Sequence, residues 1–123
     1  MVRILLVAHH PVVRQVMKMQ IELDTDLKVI GEADSGLAGI GLAPQLDPDV
    51  VLVDVDLPEM DGIATARKLH AITPQIPVIL LSLTDNGATR AQAREAGAVD
   101  FVAKQANPTT LLDAIRNAAK SPR

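Results

Sequence analysis

The chain has 123 residues, 48% of them apolar, with a formal charge of -3; that allows one real core but not two ordinary domains. Phe101 is the only Phe, Trp or Tyr and no basic run is present, so the chain has no platform for stacking on single-stranded nucleic acid and no strip for a phosphate backbone, and any DNA contact belongs to another domain. The absence of cysteine rules out disulfides and thiolate metal sites, and no apolar stretch reaches membrane length, so a soluble cytoplasmic chain without membrane contact is expected.

Five short aliphatic runs read as buried strands: Val2 to Val7, Val29 to Ala33, Val50 to Val53, Val78 to Leu81 and Val99 to Ala103. They are nearly continuous and β-branched rather than alternating, as a parallel sheet covered on both faces requires. After the first run, Val12 to Leu23 fits a helix in which Val12, Val16, Met19 and Leu23 share one apolar face. The second helix is weaker, because Gly36, Gly39 and Gly41 lower its propensity and Pro44 is expected to stop it before the Asp47-Pro48-Asp49 turn. At the end of the chain Asn107 can cap, Pro108 suits the first helical position, and Leu111, Leu112 and Ile115 form the apolar side. Lys120 to Arg123 reads either as a natural end or as the start of a linker. Strands and helices that alternate throughout predict a doubly wound, five-stranded parallel α/β sheet, with its crevice at the carboxyl ends of the strands.

Lining up those ends brings together Ala8, His9 and His10, then Asp54 and Asp56, then Ser82, then Lys104. A carboxylate, a hydroxyl and an ammonium drawn from distant positions suit an aspartyl-phosphate, with Asp54 attacking phosphorus while Ser82 and Lys104 contact the phosphoryl oxygens. Each residue also has a plain structural reading. Asp54 alone would be a cap or turn residue, Ser82 a satisfied strand-end hydroxyl, Phe101 core, and Lys104 a solvated charge. It is the convergence at one crevice that favours chemistry for Asp54.

Val51-Leu-Val-Asp-Val-Asp-Leu-Pro-Glu-Met-Asp-Gly62 resembles the phosphoacceptor strand and loop of response-regulator receiver domains, and Leu5-Leu-Val-Ala-His-His-Pro-Val-Val-Arg14 is similar to the first strand and helix of their NarL/FixJ branch. The branch usually reads Asp-Asp-His-Pro there, so Ala8 and His9 stand where two acidic residues normally hold magnesium. The resemblance covers essentially the whole chain. It implies a flavodoxin-like (βα)5 fold with Asp54 as phosphoacceptor, Ser82 and Phe101 as switch residues and Lys104 as the conserved lysine. It also implies that the Asp56 carbonyl is a metal ligand, with Pro58 and Gly62 shaping the loop.

Magnesium prefers oxygen ligands. Ala8 supplies none and His9 offers only nitrogen, so Asp54, assisted by Asp56, is left to bind the ion weakly if at all. His9 is either an ordinary loop residue or a substitute in the metal site. Slow or absent phosphorylation follows, and a direct Lys104 to Asp54 contact is expected in place of the ion. The leading function is therefore an atypical, non-enzymatic receiver acting through a homodimer or a partner, with a sensor histidine kinase as candidate phosphodonor. By branch resemblance it regulates transcription through a C-terminal DNA-binding domain outside this chain, and its dimer contact lies at the last helix or the fifth strand. One alternative is a conventional phosphorylation switch with a weakened metal site. Another is a haloacid-dehalogenase-like phosphatase, which Asp54-Val55-Asp56 also resembles, although its nucleophile usually lies on an early strand.

Overall fold

A computed structural model describes residues 1–120; residues 121–123, the rest of the Lys120 to Arg123 segment, lie outside the described residues. The order is β1 (Val2–Val7), α1 (Pro11–Glu22), β2 (Leu27–Ala33), α2 (Gly36–Leu46), β3 (Val50–Asp54), α3 (Gly62–Ile72), β4 (Val78–Ser82), α4 (Gly87–Glu95), β5 (Asp100–Ala103) and α5 (Pro108–Ala119). All pairings are parallel and the strand order is β2-β1-β3-β4-β5. This is the doubly wound sheet expected from the sequence.

The near-continuous apolar strands have a direct cause. Leu5, Val7, Val51, Val53, Val78, Leu80 and Phe101 face a cluster completed by Ala43, Ala66, Leu69 and Ala93, from α2, α3 and α4. Their alternates Ile4, Leu6, Val50, Leu52, Ile79, Leu81 and Val102 face Ile21 of α1 and Ala114, Ile115 and Ala118 of α5. Both strand faces are dry, so a period-2 polar alternation would leave polar groups stranded.

β3, β4 and β5 shift by one residue at an end, leaving Val99 exposed ahead of β5, and three elements differ from expectation by more than that. β2 begins two residues earlier, at Leu27, which pairs with Val2. α2 continues through Pro44 to Leu46: the proline removes one hydrogen bond only three residues from the helix end, and the next turn still closes through the Asp47 N–H to the Ala43 carbonyl at 2.9 Å. Two of the three α2 glycines, Gly36 and Gly39, are explained by packing, while a Cβ on Gly41 would meet open space. A Cβ on Gly39 would stand 2.8 Å from a Val7 methyl, and one on Gly36 would stand 2.2 Å from the Thr65 hydroxyl.

The third difference concerns α1. Its expected apolar face points into solvent, with Val12 74%, Met19 61% and Leu23 81% exposed. The helix is anchored instead by Ile21 and Met17 on its opposite side. A period of 3.6 identifies an apolar stripe without saying what covers it.

Candidate functional site

The strand order reverses between β1 and β3, so the crevice opens at the carboxyl ends of those two strands. Asp54 ends β3 and is 3% exposed. One of its oxygens, Oδ1, accepts from the Asp56 N–H at 2.9 Å, and Oδ2 meets Lys104 Nζ at 2.5 Å. The expected lysine contact is thus present, and it joins residues fifty positions apart across the ends of β3 and β5.

The neighbouring strand supports that geometry. Ser82 ends β4, is buried, and its Oγ accepts from the Thr84 N–H at 3.1 Å. Its carbonyl accepts from the Lys104 N–H at 2.8 Å, which fixes where the lysine stem leaves β5. The Gln105 amide donates to the Leu83 carbonyl at 2.8 Å and ties the two following loops together. Gly62 is required by close approach, since a Cβ there would lie 2.2 Å from the Asp54 carbonyl oxygen. At this point the loop folds back tightly, the Gly62 N–H donating to the Val55 carbonyl at 2.9 Å, and Asp61 caps α3 through the Ala64 N–H at 2.8 Å.

Phe101 lies in the core among the residues facing α2 to α4. The Arg90 guanidinium stands 5.0 Å from its ring centroid and is itself bound by Asp85 at 2.6 and 3.1 Å. The hydrogen bond from Arg90 holds the Asp85 carboxyl below the usual aspartate value of 3.8, and Asp85 in turn pushes the guanidinium up. Sequence reasoning missed this pair. The i to i+5 spacing from a loop Asp to a helical Arg is common, and nothing in it points to the aromatic ring.

The β1 side is different. Ala8 is buried and its N–H donates to the Ala33 carbonyl at 3.0 Å. His9 is exposed, with Nδ1 3.3 Å from the Asp34 carbonyl oxygen, and its ring meets that of His10 edge-on at 5.2 Å. Arg14 holds this loop by donating to the Ala8 carbonyl at 2.8 Å while pairing with Glu32 at 3.1 Å. Among the described residues, no group of three or more His, Cys, Asp or Glu side chains gathers to hold a metal. A buried methyl, an imidazole turned toward a carbonyl, a carboxylate already paired with lysine and an exposed Asp56 do not fit the oxygen shell of a hard divalent cation.

Residues 4–116 match the model of the response regulator receiver domain family. The chain is 36% identical over 119 residues to the transcriptional regulatory protein YxjL of Bacillus subtilis, covering 97% of this chain and 55% of that protein. It is 39% identical over 108 residues to a protein-glutamate methylesterase/protein-glutamine glutaminase of Nocardioides, covering 86% and 30%. The receiver domain of NarL from Mycobacterium tuberculosis superposes with a TM-score of 0.91 at 32% identity, covering 98% of both chains. The chain thus spans about half or less of the length of these two curated relatives. Among the described residues no helix is long and apolar enough to cross a membrane.

Proposed function

This chain belongs to the response regulator receiver domain family, and on that premise we propose that it is an atypical receiver whose phosphoacceptor position, Asp54, is uncoupled from magnesium and whose output passes through contacts with a second copy or a partner. Receivers of this family are signalling modules of two-component systems and usually bind magnesium at the phosphorylation site. The phosphatase reading falls with the family match. The observation that carries the proposal is the contrast at Asp54, where Lys104 pairs with the carboxylate at 2.5 Å while the β1 end offers Ala8 and an averted His9.

In this reading Asp54 keeps its nucleophilic oxygen oriented by the Asp56 N–H, Lys104 neutralises the carboxylate, and Ser82 and Phe101 remain the positions through which a change at Asp54 would reach α4 and β5. Lysine supplies one charge without divalent coordination, so the negative charge that grows during phosphoryl transfer lacks its largest partner and transfer from a sensor kinase is slow or absent. The likeness to YxjL supports a transcriptional output carried by a DNA-binding domain beyond this chain.

NMR of the labelled chain, titrated with magnesium and then with beryllofluoride, tests this. Millimolar magnesium is expected to leave the Asp54 and Ala8 amides unmoved, and beryllofluoride is expected not to bind. Saturable sub-millimolar shifts centred on Asp54 would instead support the conventional phosphorylation switch.

A further inference from the structure

We propose that Asn86 is a self-modification site, at which the Asn86-Gly87 peptide closes to a cyclic imide and reopens to aspartate or isoaspartate at the start of α4. The sequence holds three asparagines, Asn86, Asn107 and Asn117. Each side-chain amide can be attacked at Cγ by the backbone nitrogen of the next residue, and what differs among them is that nitrogen. After Asn107 it belongs to Pro108 and carries no proton. After Asn117 it belongs to Ala118, inside α5, where the N–H is committed to the helix ladder. After Asn86 it belongs to Gly87, the first residue of α4, so its N–H lies ahead of the helix ladder and takes no partner among the described residues.

Access follows the same order. Residues 83–88 are all exposed, and a Cβ built on Gly87 would meet no atom within 4 Å. No side chain shields the attacking nitrogen, and the wide torsional range of glycine lets Gly87 follow the rotation about the Asn86 Cα–C bond that ring closure needs. The cap bond prepares the other partner. Asn86 Oδ1 accepts from the Thr89 N–H at 2.8 Å, which polarises Cγ and meets the negative charge that grows on that oxygen as the ring closes. The Asp61-Gly62 step is an internal contrast. Asp61 caps α3 from an extended backbone with ψ 171°, against 163° at Asn86, but the Gly62 N–H donates to the Val55 carbonyl at 2.9 Å and Gly62 packs against the Asp54 carbonyl. The cap-glycine step is thus locked beside Asp54 and open at the start of α4.

The chemistry balances with water as the only co-reactant. The Gly87 nitrogen loses its proton and bonds to Cγ, the Cγ–Nδ2 bond breaks, and Nδ2 leaves as ammonia with that proton. One water then opens the imide. Opening at Cγ gives aspartate with the original backbone, while opening at the Asn86 main-chain carbonyl gives isoaspartate, whose backbone runs through the side chain and is one carbon longer. Both products put a second carboxylate beside Asp85, one turn before Arg90. Aspartate still accepts from the Thr89 N–H, as a cap does. Isoaspartate cannot keep that bond together with the 3.1 Å bond from the Arg90 N–H to the carbonyl of residue 86, so it displaces the guanidinium that stands over Phe101. The step needs neither magnesium nor a phosphodonor, so it stands or falls apart from the reading of Asp54.

Ageing the full chain at mildly alkaline pH, followed by peptide mapping with mass spectrometry and by enzymatic methylation of isoaspartate, tests this. The peptide holding Asn86 is expected to gain one dalton and the isoaspartyl label, faster as pH rises, while those holding Asn107, Asn117 and Asp61 stay unchanged. Gly87→Ala meets no clash and is expected to react at least about tenfold more slowly, because a Cβ hinders the nitrogen and restricts the backbone. In the aged wild type, the Thr89 amide and the Phe101 ring are expected to show a second set of NMR signals that grows with the label. Asn86 that reacts in urea but stays intact in the folded chain would overturn the proposal, as would label at Asn117 or Asp61 that keeps pace, or a Gly87→Ala variant that reacts at the wild-type rate. Phe101 signals that stay single while the label accumulates would overturn the link to the Arg90 pair.

Discussion

The two sides of the crevice grow from one parallel sheet, yet they hold different chemistry. On the β3 to β5 side, a buried carboxylate, a buried hydroxyl and a lysine converge, and each of these groups has a partner within hydrogen-bonding reach. On the β1 side the corresponding strand end carries a methyl group, and the next side chain turns away toward the end of β2. Under the proposed reading, the difference means that the fold keeps the positions of a phosphoryl-transfer site while the β1 end no longer supplies carboxylates to it. The sheet is held by aliphatic burial worth roughly 1.5–3 kcal/mol per large side chain, and none of that depends on Ala8 or His9 being acidic.

The most forceful way to break the comparison is to make the two sides alike. Ala8→Asp together with His9→Asp is expected to raise magnesium affinity by about 100-fold, in line with the roughly 10–100-fold that even supporting residues contribute at metal sites, and to permit labelling by acetyl phosphate. Neither single change suffices, since Ala8→Asp alone buries a carboxylate beside an incomplete oxygen shell and His9→Asp alone leaves the methyl in place. Isothermal titration and phosphoprotein gels check this. A folded double variant that does neither would mean that the acidic pair is not the missing ingredient.

A smaller effect is expected from the intact side. Lys104→Met leaves the Asp54 carboxylate buried without its cation, and should cost about 1–3 kcal/mol at neutral pH. The cost should nearly vanish in an Asp54→Asn background, where no charge is stranded. Urea denaturation of the four proteins in this cycle gives the coupling directly. Additive losses would place the lysine's contribution in its packing rather than in the ion pair.

The smallest effect sharpens the picture at the rim of the same side. Asp85 titrates below the usual value of 3.8 because Arg90 hydrogen-bonds its charged form. Since its folded value is depressed, the pair's contribution is complete above 3.8 and fades as pH falls through the lowered folded value. A carboxyl-detected NMR titration should find its midpoint below 3.8, with the Phe101 ring resonances moving over the same interval. Arg90→Gln should return the Asp85 midpoint toward the usual value and uncouple the ring.

Much of this molecule could be read from its sequence, for a physical reason. Strand runs buried on both faces need unbroken aliphatic text, and the loop after Asp54 needs Gly62 where a Cβ would strike the Asp54 carbonyl. The type and order of the elements, and the set of residues brought to the strand ends, are therefore local consequences of composition and spacing. The tertiary structure decided what spacing leaves open. Pro44 is tolerated because it comes where α2 has few hydrogen bonds left to lose, and Gly39 and Gly36 are there because Val7 and Thr65 press against them. The facing of α1 was decided in the same way. Its sequence carries an apolar stripe and, opposite it, Met17 and Ile21; either could have met the sheet, and it is the fit of Ile21 among Ile4, Val29 and the α5 residues that turned the stripe outward. The direction of His9 likewise depends on a carbonyl in the loop after β2, 25 residues away. Periodicity within an element says which residues travel together; only the competition among neighbouring elements for the same core volume settles which of them are buried.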